Sequence, residues 1–465
     1  MSTLPLGKQA VVLGGSIAGL SAARALSPYF ERVIVIERDE QPTETGPRKA
    51  VPQGHHAHAL LKAGENVMDA LFPGVMKDVV RAGGQRIDFS KDVRWFHGGH
   101  WKMRYESGFE IAVQSRPLLE QKIRERVEAL GNVAFYYGYE VEAPRTSGDK
   151  SRITGVTARQ MADRSHKVEI DSDLLVDASG RGSKMPQWLT ALDYTAPTEV
   201  RLKINLTYST RVYEAPANAK FDFKALIINP QAPTIRRAGY IFPMEGNKWM
   251  VTLAGYDGDT TPRDNESFLE FTRTLARPDV YETLKTMTPL TDVKVFSVPH
   301  TARRHYEKLS RFPAGVVVMG DAMCAFDPVF GQGMSAATLE AQALSTLLAR
   351  ETAASLATFG KRFQKKAAQI VEVPWMLASS EDLRFPGTEG HRSPIIPVLH
   401  WYTNHIFALS ATDKEVFDAF RQAMHLIAGP QVLFKPTIVF KVLRRALSRP
   451  SRPAAAAQPE LSAAT

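Results

Sequence analysis

The sequence predicts an α/β protein in which a parallel, doubly wound sheet is interleaved with a mainly antiparallel sheet and followed by a helical C-terminal region. Three features predict this class: a strand–glycine turn–helix–strand pattern near the N-terminus, alternating apolar segments in the middle of the chain, and helical periodicity over residues 355–447. With 465 residues, the chain has the mass of two or three domains and an ample core.

The first of these features begins with a short apolar run at residues 10–13, which is typical of a buried parallel strand. Gly14 and Gly15 follow as a tight turn, and residues 17–26 then show helical spacing with many small side chains. Residues 33–36 predict a second strand. This order predicts a dinucleotide-binding βαβ unit, in which backbone N–H groups at the start of the helix bind a pyrophosphate.

An acidic residue completes the pattern. Glu37 lies 23 residues after Gly14, close to the spacing of about 20 expected for a carboxylate that accepts hydrogen bonds from ribose hydroxyls. The fingerprint G-x-G-x-x-G departs at one position, where Ser16 stands in place of glycine. The alternative is an ordinary βαβ unit whose glycines only allow close packing.

The composition is that of a globular protein, with 44% apolar and 23% charged residues. The formal net charge of +9 is compatible with nucleic acid, an anionic membrane surface or an anionic ligand. The positive residues are spread along the chain apart from a group after residue 434, and no zinc-finger spacing or basic–aromatic repeat accompanies them. The sequence therefore predicts no nucleic-acid binding.

Three features favour a cytoplasmic protein. Cys324 is the single cysteine, which excludes an internal disulfide and fits a reducing compartment. Residues 1–6 lack the basic start and apolar block of a signal peptide. Residues 393–412 carry no formal charge, but they contain two prolines, two histidines and an asparagine, which makes them a poor membrane span.

A loop predicted at residues 41–54 leads into a histidine-rich segment. His55, His56 and His58 cannot share one helical face, and no cysteine or carboxylate lies beside them at ligand spacing. We therefore predict no metal site. We expect these side chains to be hydrogen-bond donors to the edge of a bound cofactor.

A second glycine-rich segment follows a strand late in the chain. Residues 316–319 predict a buried strand, and Gly320 and Asp321 come at its carboxyl end, where open α/β sheets bind ligands. The turn residues 328–333 then lead into a helix predicted from Met334 to about residue 350. This helix start is a second site that stabilises negative charge.

The predicted domains alternate along the chain. The dinucleotide-binding domain takes residues 1–84, 115–190 and 301–370; the second domain takes β-ribbons at 85–114 and a sheet at 191–300; a helical region covers 371–447 and a disordered tail 448–465. Helices are predicted at 116–130 and within 265–287, and strands at 133–137, 140–143, 153–159, 167–170 and 293–303. The helical region is expected to be broken by Pro374, Pro386, Pro394 and Pro397.

Three blocks in this order resemble the FAD-dependent monooxygenases of the p-hydroxybenzoate hydroxylase fold, often called group A. They are the Gly14 turn with Glu37, the strand and glycine turn at residues 174–183, and the segment from Gly320 to Met334. The resemblance covers roughly residues 8–370. Within the family, residues 48–58 and 327–335 are most similar to a branch of flavin epoxidases that act on polyether precursors and other lipophilic alkenes.

The resemblance implies a Rossmann-like FAD-binding domain and a set of contacts to that cofactor. In chain order these are Gly14, Gly15, Ser16 and Ala18 at the pyrophosphate, Glu37 at the adenosine ribose with Arg38 and Arg48 nearby, Arg116 near the ribityl and phosphate region, Val141 at adenine, Asp321 at a ribityl hydroxyl, and Pro328, Gly331, Gly333 and Met334 at the pyrimidine end of the isoalloxazine. The middle block departs from the family's Gly-x-Asp-Gly, which leaves Asp177 as an open assignment.

The chemistry that the resemblance implies belongs mainly to the cofactor. In that chemistry a nicotinamide, NADH or NADPH, would reduce FAD, dioxygen would add at flavin C4a, and the hydroperoxide would deliver one oxygen atom to the substrate. No second nucleotide fingerprint is present, so NAD(P)H is expected to bind transiently, or a flavin reductase supplies the electrons. No Ser/His/Asp arrangement is evident, and no catalytic side chain is assigned.

Aromatic residues of the second domain are candidates for a lipophilic substrate pocket, with epoxidation preferred over ring hydroxylation. They are Trp95, Trp101, Tyr240, Phe242 and Phe330. For any single one of them, packing in the core is the alternative interpretation.

Three other functions are compatible with parts of the sequence. A FAD-dependent reductase of prenyl double bonds would use much the same scaffold. A flavin halogenase is disfavoured, because the Trp-x-Trp motif of that group is absent. A non-catalytic or membrane-docking protein is the third, because residues 434–447 mix apolar and basic side chains. We favour a helix packed on the body with a basic outer face.

Overall fold

The computed structural model describes residues 5–448. The predicted disordered tail, residues 448–465, lies outside the described residues apart from Ser448. Among the residues described, no helix combines the length and the apolarity needed to cross a membrane.

Nineteen strands alternate with thirteen α-helices over residues 5–448. The strands are β1 (Gly7–Leu13), β2 (Phe30–Glu37), β3 (Gln85–Asp88), β4 (Val93–His97), β5 (His100–Trp101), β6 (Glu110–Val113), β7 (Val133–Tyr137), β8 (Tyr139–Thr146), β9 (Ile153–Gln160), β10 (Lys167–Asp171), β11 (Leu174–Asp177), β12 (Glu199–Glu214), β13 (Ala225–Ile228), β14 (Arg237–Met244), β15 (Lys248–Gly255), β16 (Thr288–Pro289), β17 (Lys294–Arg304), β18 (Val316–Val318) and β19 (Cys324–Ala325).

The helices are α1 (Ile17–Leu26), α2 (Lys62–Leu71), α3 (Val75–Arg81), α4 (Phe89–Asp92), α5 (Arg116–Glu128), α6 (Met185–Ala191), α7 (Asn265–Thr272), α8 (Asp279–Leu284), α9 (Gly333–Leu348), α10 (Leu356–Asp382), α11 (Ile396–Leu409), α12 (Lys414–Met424) and α13 (Pro436–Leu447). Short 3₁₀ helices lie at Pro52–His55, Tyr306–Lys308, Gly320–Ala322, Pro328–Phe330 and Pro430–Phe434.

The parallel sheet predicted from the first βαβ unit has five strands in the order β18-β11-β1-β2-β7. All four pairings are parallel. The central strands are almost entirely apolar and buried because helices cover the sheet. Helix α1 packs against α9 and α5, so the two helices that follow the predicted glycine turns lie side by side.

The second domain is built on a sheet of nine strands. Eight follow the order β19-β17-β12-β15-β14-β13-β4-β5, and β16 pairs with β12. Its pairings are antiparallel except for β13 with β4, which confirms the predicted mainly antiparallel sheet. Two smaller antiparallel sheets, β10-β9-β8 and β3-β6, complete the fold.

The helical C-terminal region differs from its prediction at one proline. Pro374 lies inside α10, a continuous helix of 27 residues, instead of breaking it. Val371, Pro374 and Ala378 are all buried, so packing of this face offsets the missing backbone hydrogen bond. Pro397 lies in the first turn of α11, where its missing N–H costs nothing.

Helix α13 packs on the body as predicted, but its outer face is not simply basic. Ile438 and Val442 are fully buried against α11 and α12, whereas Phe440, Leu443 and Leu447 are exposed to solvent. An amphipathic helix on a globular protein ordinarily turns its large apolar residues inward, so this face is an exception.

Candidate functional site

Four parallel strands end at one edge of the five-stranded sheet. β1 ends at Leu13, β2 at Glu37, β11 at Asp177 and β18 at Val318. Since these strands are neighbours and run in the same direction, the turns that follow them meet at the carboxyl edge. Open α/β sheets bind ligands at this edge.

The first helix start at this edge, that of α1, has no side-chain cap. The hydroxyl of Ser16 turns to the side: it accepts a hydrogen bond from Arg116 Nη2 at 2.7 Å and donates one to Glu120 Oε2 at 3.2 Å. The N–H groups of the first turn are therefore left for another acceptor, and the helix dipole favours an anionic one.

The second helix start, that of α9, also lacks a side-chain cap. It follows Gly331, whose φ of +63° lies in the left-handed region that favours glycine. A Cβ at Gly331 would lie 2.9 Å from the Cβ of Ala59, so glycine is also needed for close approach of the neighbouring loop.

Asp321 and Arg116 lie between the two helix starts. A Cβ at Gly320 would lie 3.0 Å from the Cβ of Ala18 in α1, and a Cβ at Gly333 would lie 3.7 Å from Asp321 Oδ1. Burial lowers the pKa of Arg116, and the nearby carboxylates, including that of Asp321, oppose this effect. The structure thus brings together residues predicted from segments some 300 positions apart.

A buried arginine cluster supports the start of α1. Glu120 pairs with Arg48 at 2.7 Å, Arg116 at 3.2 Å and Arg124 at 3.1 Å. Burial opposes ionisation of Glu120, but the three arginines outweigh it and hold the pKa of this carboxyl below its usual value. Arg124 also donates to the carbonyl of Gly15 at 2.6 Å, which fixes the glycine turn.

Glu37 is placed beside the turn, but it is not free. Its Oε2 accepts the N–H of Gly15 at 2.9 Å and pairs with Arg48 at 3.1 Å, while Oε1 accepts the N–H of Asp39 at 3.0 Å. The N–H of Gly15 therefore already has a carboxylate acceptor, and the expected position of Gly15 facing a pyrophosphate stays a prediction.

Three other sequence candidates are either exposed or held within their own strands and turns. Arg38 is exposed after β2. Val141 lies in β8, which contacts β2, and pairs with Ala158 of β9. Asp177 is fully buried and accepts hydrogen bonds from Ser179 and Ser183, so it orders its own turn.

Glu340 of α9 holds the turn before Asp321, because its Oε2 accepts the N–H of Gly320 at 2.6 Å. Burial raises the pKa of this carboxyl to about 8. The folded state therefore keeps the proton while the unfolded state loses it, so this group lowers stability as pH rises from the unfolded pKa to the folded one. We expect Glu340→Gln to flatten the decline in melting temperature between pH 5 and pH 8. Parallel pH profiles of variant and wild type would contradict this.

The loop before α2 is anchored to the nine-stranded sheet. His56 Nδ1 lies 2.7 Å from the hydroxyl of Thr210 in β12, and the N–H of Ala57 donates to the hydroxyl of Thr252 in β15 at 3.1 Å. Burial is the main cause that lowers the pKa of His56 to about 4 and of His58 to about 3. Both rings are therefore neutral at pH 7.

The hydrogen bond of His58 fixes its tautomer. Its Nδ1 lies 2.8 Å from the carbonyl oxygen of His56, which can only accept, so Nδ1 carries the proton and Nε2 is an acceptor. The neutral ring of His58 therefore has no free N–H for a cofactor, which corrects the expectation that it is a donor there. Residues 5–448 contain no group of three or more histidine, cysteine, aspartate or glutamate side chains placed to hold a metal ion.

A large apolar cavity lies between the nine-stranded sheet, the loop at residues 57–61, the turn at residues 328–332 and the C-terminal helices. Its empty volume, including the part open to solvent, is about 1850 Å³. Four of the aromatic candidates from the sequence line it: Trp95, Tyr240, Phe242 and Phe330. The cavity wall therefore includes both the histidine loop and the start of α9.

Trp101, the remaining aromatic candidate, is not part of this wall. It pairs with Phe96 across β4 and β5, and directly opposed residues share one face of a sheet. Trp95 precedes Phe96 and so points to the other face, toward the cavity. Trp101 packs on Phe96 with ring centroids 5.3 Å apart and has Arg94 over its ring, so its role is in the core beneath the sheet.

Few polar atoms break the apolar lining. The Tyr240 hydroxyl, His425 Nε2 and Gln332 Oε1 are buried and have no hydrogen-bond partner among the described residues. His425 Nδ1 accepts the N–H of Lys62 at 3.2 Å, so the proton of the neutral ring is on Nε2. The cavity therefore offers a donor at His425, and unpaired polar atoms of this kind mark positions where a ligand can bind.

Two buried carboxyls hold the turn that forms one end of the cavity. Asp327 precedes Pro328, and its Oδ2 accepts from the hydroxyl of Tyr256 at 3.1 Å. Asp382 at the end of α10 is its neighbour, and burial raises the pKa of both carboxyls. The negative charge of Asp327 also disfavours ionisation of Asp382, so at Asp382 their proximity acts in the same direction as burial.

Sequence reasoning missed several of these groups. Glu120 and Arg124 gave a signal, the spacing of i and i+4 charges on a predicted helix, but nothing in it pointed to burial. His425 and the cavity residues Leu399, Tyr402, Phe407 and Phe420 come from helices far along the chain. No local pattern relates them to β4 or to the histidine loop.

Comparison with known families and proteins agrees with this geometry. A family model described as FAD binding domain matches residues 8–372. Protein Rv3254 of Mycobacterium tuberculosis (strain ATCC 25618 / H37Rv) is 31% identical over 403 residues, which cover 84% of this chain and 83% of that protein. Kynurenine 3-monooxygenase of Chaetomium globosum is 24% identical over 307 residues, 61% of this chain and 59% of that one.

Solved structures of low sequence identity share the fold. The flavin-dependent brominase Bmp2 superposes with a TM-score of 0.65 at 13% identity and covers 95% of this chain and 98% of its own. PqsL, a probable FAD-dependent monooxygenase from Pseudomonas aeruginosa, gives a TM-score of 0.57 at 20% identity, and the match covers 82% of this chain and 99% of the PqsL chain. The chain belongs to the FAD binding domain family, with the fold of its flavoprotein monooxygenases and halogenases.

Proposed function

We propose that this chain is a FAD-dependent monooxygenase that inserts one oxygen atom from dioxygen into a lipophilic unsaturated or aromatic small molecule, with epoxidation preferred over hydroxylation. One observation carries the proposal: the turn that leads into α9, which the family resemblance places at the flavin, is also a wall of the large apolar cavity. A cofactor held at this point would face the substrate directly.

The residues at the sheet edge fit an extended dinucleotide. Two uncapped helix starts supply N–H groups for anionic or electron-rich ends of the cofactor. Arg116 lies beside the first of them, where it can pair with a phosphate, and Asp321 between them can accept from a ribityl hydroxyl. Ser16 and Ala18 would complete the pyrophosphate contact, with Gly333 and Met334 at the pyrimidine end.

When bound, FAD supplies the redox and oxygen-transfer chemistry, and the protein binds, orients and excludes water. The start of α9 favours negative charge on the adjacent ring system. The neutral Nε2 of His58 can accept a hydrogen bond at the same wall, and the Nε2–H of His425 can orient a substrate oxygen. No side chain is required as a nucleophile.

The lining of the cavity supports a lipophilic substrate. Trp95, Phe242 and Phe330 are among many apolar side chains on its wall, and few buried polar atoms interrupt them. A mostly apolar wall with a few polar atoms favours a ligand that is itself mostly apolar.

The reductant in this proposal is NADH or NADPH, bound transiently or replaced by a partner flavin reductase, and the setting is the cytoplasm. The test supplies the FAD-loaded protein with NADPH and a panel of lipophilic alkenes under isotopically labelled dioxygen. A product that gains one labelled oxygen atom supports the proposal. A product that gains two hydrogen atoms without oxygen would instead indicate a reductase of double bonds.

A second test concerns the cofactor site. We expect Asp321→Ala to weaken FAD binding by about 10- to 100-fold, because a hydrogen bond from a ribityl hydroxyl to a charged carboxylate is lost. Equilibrium dialysis against FAD measures it, and far-UV circular dichroism checks the fold. Asp163→Ala, in the turn between β9 and β10, is the matched control. Full FAD affinity in the Asp321 variant would count against the assignment.

A further inference from the structure

Helix α13 presents large apolar side chains to solvent. At about 100° per residue, Phe440, Leu443 and Leu447 lie on the side opposite Ile438 and Val442. These three are 64%, 48% and 86% exposed, whereas Ile438 and Val442 are fully buried. The helix therefore has enough inward contact to be held in place, and a second apolar side that nothing covers among residues 5–448.

The neighbouring helix continues this surface. Helix α11 packs against α13, and Val398 and Trp401, one turn apart on it, are 58% and 44% exposed. Tyr402 of α11 stacks on Phe434, which precedes α13, with ring centroids 4.8 Å apart. We call this surface the C-terminal apolar face and define it by seven exposed residues: Ile395, Val398, Trp401, Phe434, Phe440, Leu443 and Leu447.

The segment that contains α13 is basic. Residues 425–448 contain four lysines and arginines but no aspartate or glutamate. Lys441 is paired with Asp413 and Glu415 of the α12 segment. Lys435, Arg444 and Arg445 are exposed and form no ion pair with the residues described. Apolar side chains beside unpaired cations are the composition of helices that lie on anionic bilayers.

The mouth of the apolar cavity opens on the same side of the molecule. Phe434 and Met376 both line the cavity and are exposed to solvent, by 50% and 39%. Tyr402 and Leu433 line the cavity directly behind Phe434. A lipophilic molecule that leaves a membrane under this face would therefore reach the cavity without crossing water.

We propose that the C-terminal apolar face docks on the surface of an anionic phospholipid bilayer. The apolar side chains enter the boundary between headgroups and acyl chains, and Lys435 and Arg444 contact lipid phosphates. Self-association is the weaker alternative, because a twofold interface would bring these unpaired cations against their own copies. The proposal does not depend on the reaction catalysed.

The experiment is flotation of the full chain with vesicles, measured with and without FAD. We expect wild type to float with vesicles of equal parts phosphatidylcholine and phosphatidylglycerol, and less with phosphatidylcholine alone. Phe440→Glu combined with Leu443→Glu is expected to lower the partition coefficient at least about tenfold, since two apolar contacts are lost. Lys435→Gln combined with Arg444→Gln is expected to lower it only on anionic vesicles, by about fivefold for each charge.

Leu290→Glu is the matched control, because Leu290 is 42% exposed on a loop of the second domain. It should leave flotation unchanged, and all variants should keep the wild-type melting temperature. Three results would overturn the proposal: no flotation of the full chain with anionic vesicles, flotation only after the chain is shortened to end at Ser448, or a wild-type dimer that the Phe440/Leu443 variant dissociates while neither protein binds vesicles.

Discussion

Glu120→Gln is expected to lower the free energy of unfolding by about 3 kcal/mol, near the lower end of the range for breaking a buried ion pair. Glu120 is 5% exposed and is paired with three arginines. Glutamine keeps the shape but leaves Arg116 and Arg124 without a carboxylate partner, whereas Arg48 keeps Glu37 and Asp39. Urea unfolding measures the loss.

The pH dependence of this loss follows from the direction of the shift. The pKa of Glu120 is lower in the folded state, so its contribution is present above the unfolded pKa and is lost as pH falls through the folded one. The difference in free energy of unfolding between variant and wild type should therefore be constant near neutral pH and should decrease toward zero at acidic pH. Glu125→Gln on the same helix is the control, because its pair with Lys122 is exposed and contributes below about 1 kcal/mol.

FAD distinguishes a structural role of the arginine cluster from a role at the cofactor site. If the pyrophosphate binds at the start of α1, beside Arg116, its negative charge replaces part of the negative charge that Glu120→Gln removes from the arginine cluster. We expect saturating FAD to narrow the stability difference between variant and wild type. By linkage, the variant then binds FAD more tightly. A difference that widens with FAD would contradict the placement.

The second large effect is expected from Gly19→Ala. A Cβ at Gly19 would lie 1.8 Å from the carbonyl oxygen of Gly14. Gly14 has little room to move away, because its backbone, with a φ of +96°, packs closely on that of Ala178: a Cβ at Gly14 would lie 2.7 Å from the carbonyl oxygen of Ala178. We expect stability to fall by about 3 kcal/mol, at the upper end of the range for overpacking, and FAD to be lost. Urea unfolding and flavin absorbance measure the two effects.

A matched glycine in the same region controls for the substitution itself. Gly182 follows β11, has no heavy atom within 4 Å of its Cβ position and does not have a left-handed backbone. Gly182→Ala should therefore keep stability within about 1 kcal/mol of wild type. Equal losses of stability in the two alanine variants would show that the close contact between Gly19 and the carbonyl oxygen of Gly14 is not the cause of the loss in Gly19→Ala.

The elements that sequence could predict were those set by local pattern. The apolar run before Gly14 and the glycines before Met334 fix strand, turn and helix within about 20 residues, and both units lie where the pattern requires. The carboxyl-edge rule then predicted that Asp321 would approach them. Strands that are buried on both faces read as short continuous apolar runs, and the glycines and helical spacing that follow them identify the unit.

The remaining features depend on packing between distant segments. Trp101 and Trp95 look alike in sequence, and only the register of β4 with β5 separates the core face from the cavity face. Pro374 is tolerated in α10 because its neighbours are buried. His425 reaches the cavity through a contact with Lys62, 363 positions away, and no local signal marks it.

The most direct test of the central claim is a crystal structure of the protein reconstituted with FAD. The account predicts one FAD extending along the carboxyl edge of the five-stranded sheet. Its pyrophosphate should receive hydrogen bonds from the first turn of α1, its ribityl chain should contact Asp321, and its pyrimidine ring should lie at Gly333 and Met334 with the ring system facing the apolar cavity. FAD bound elsewhere, or residues 14–19 and 331–334 around separate cavities, would contradict it.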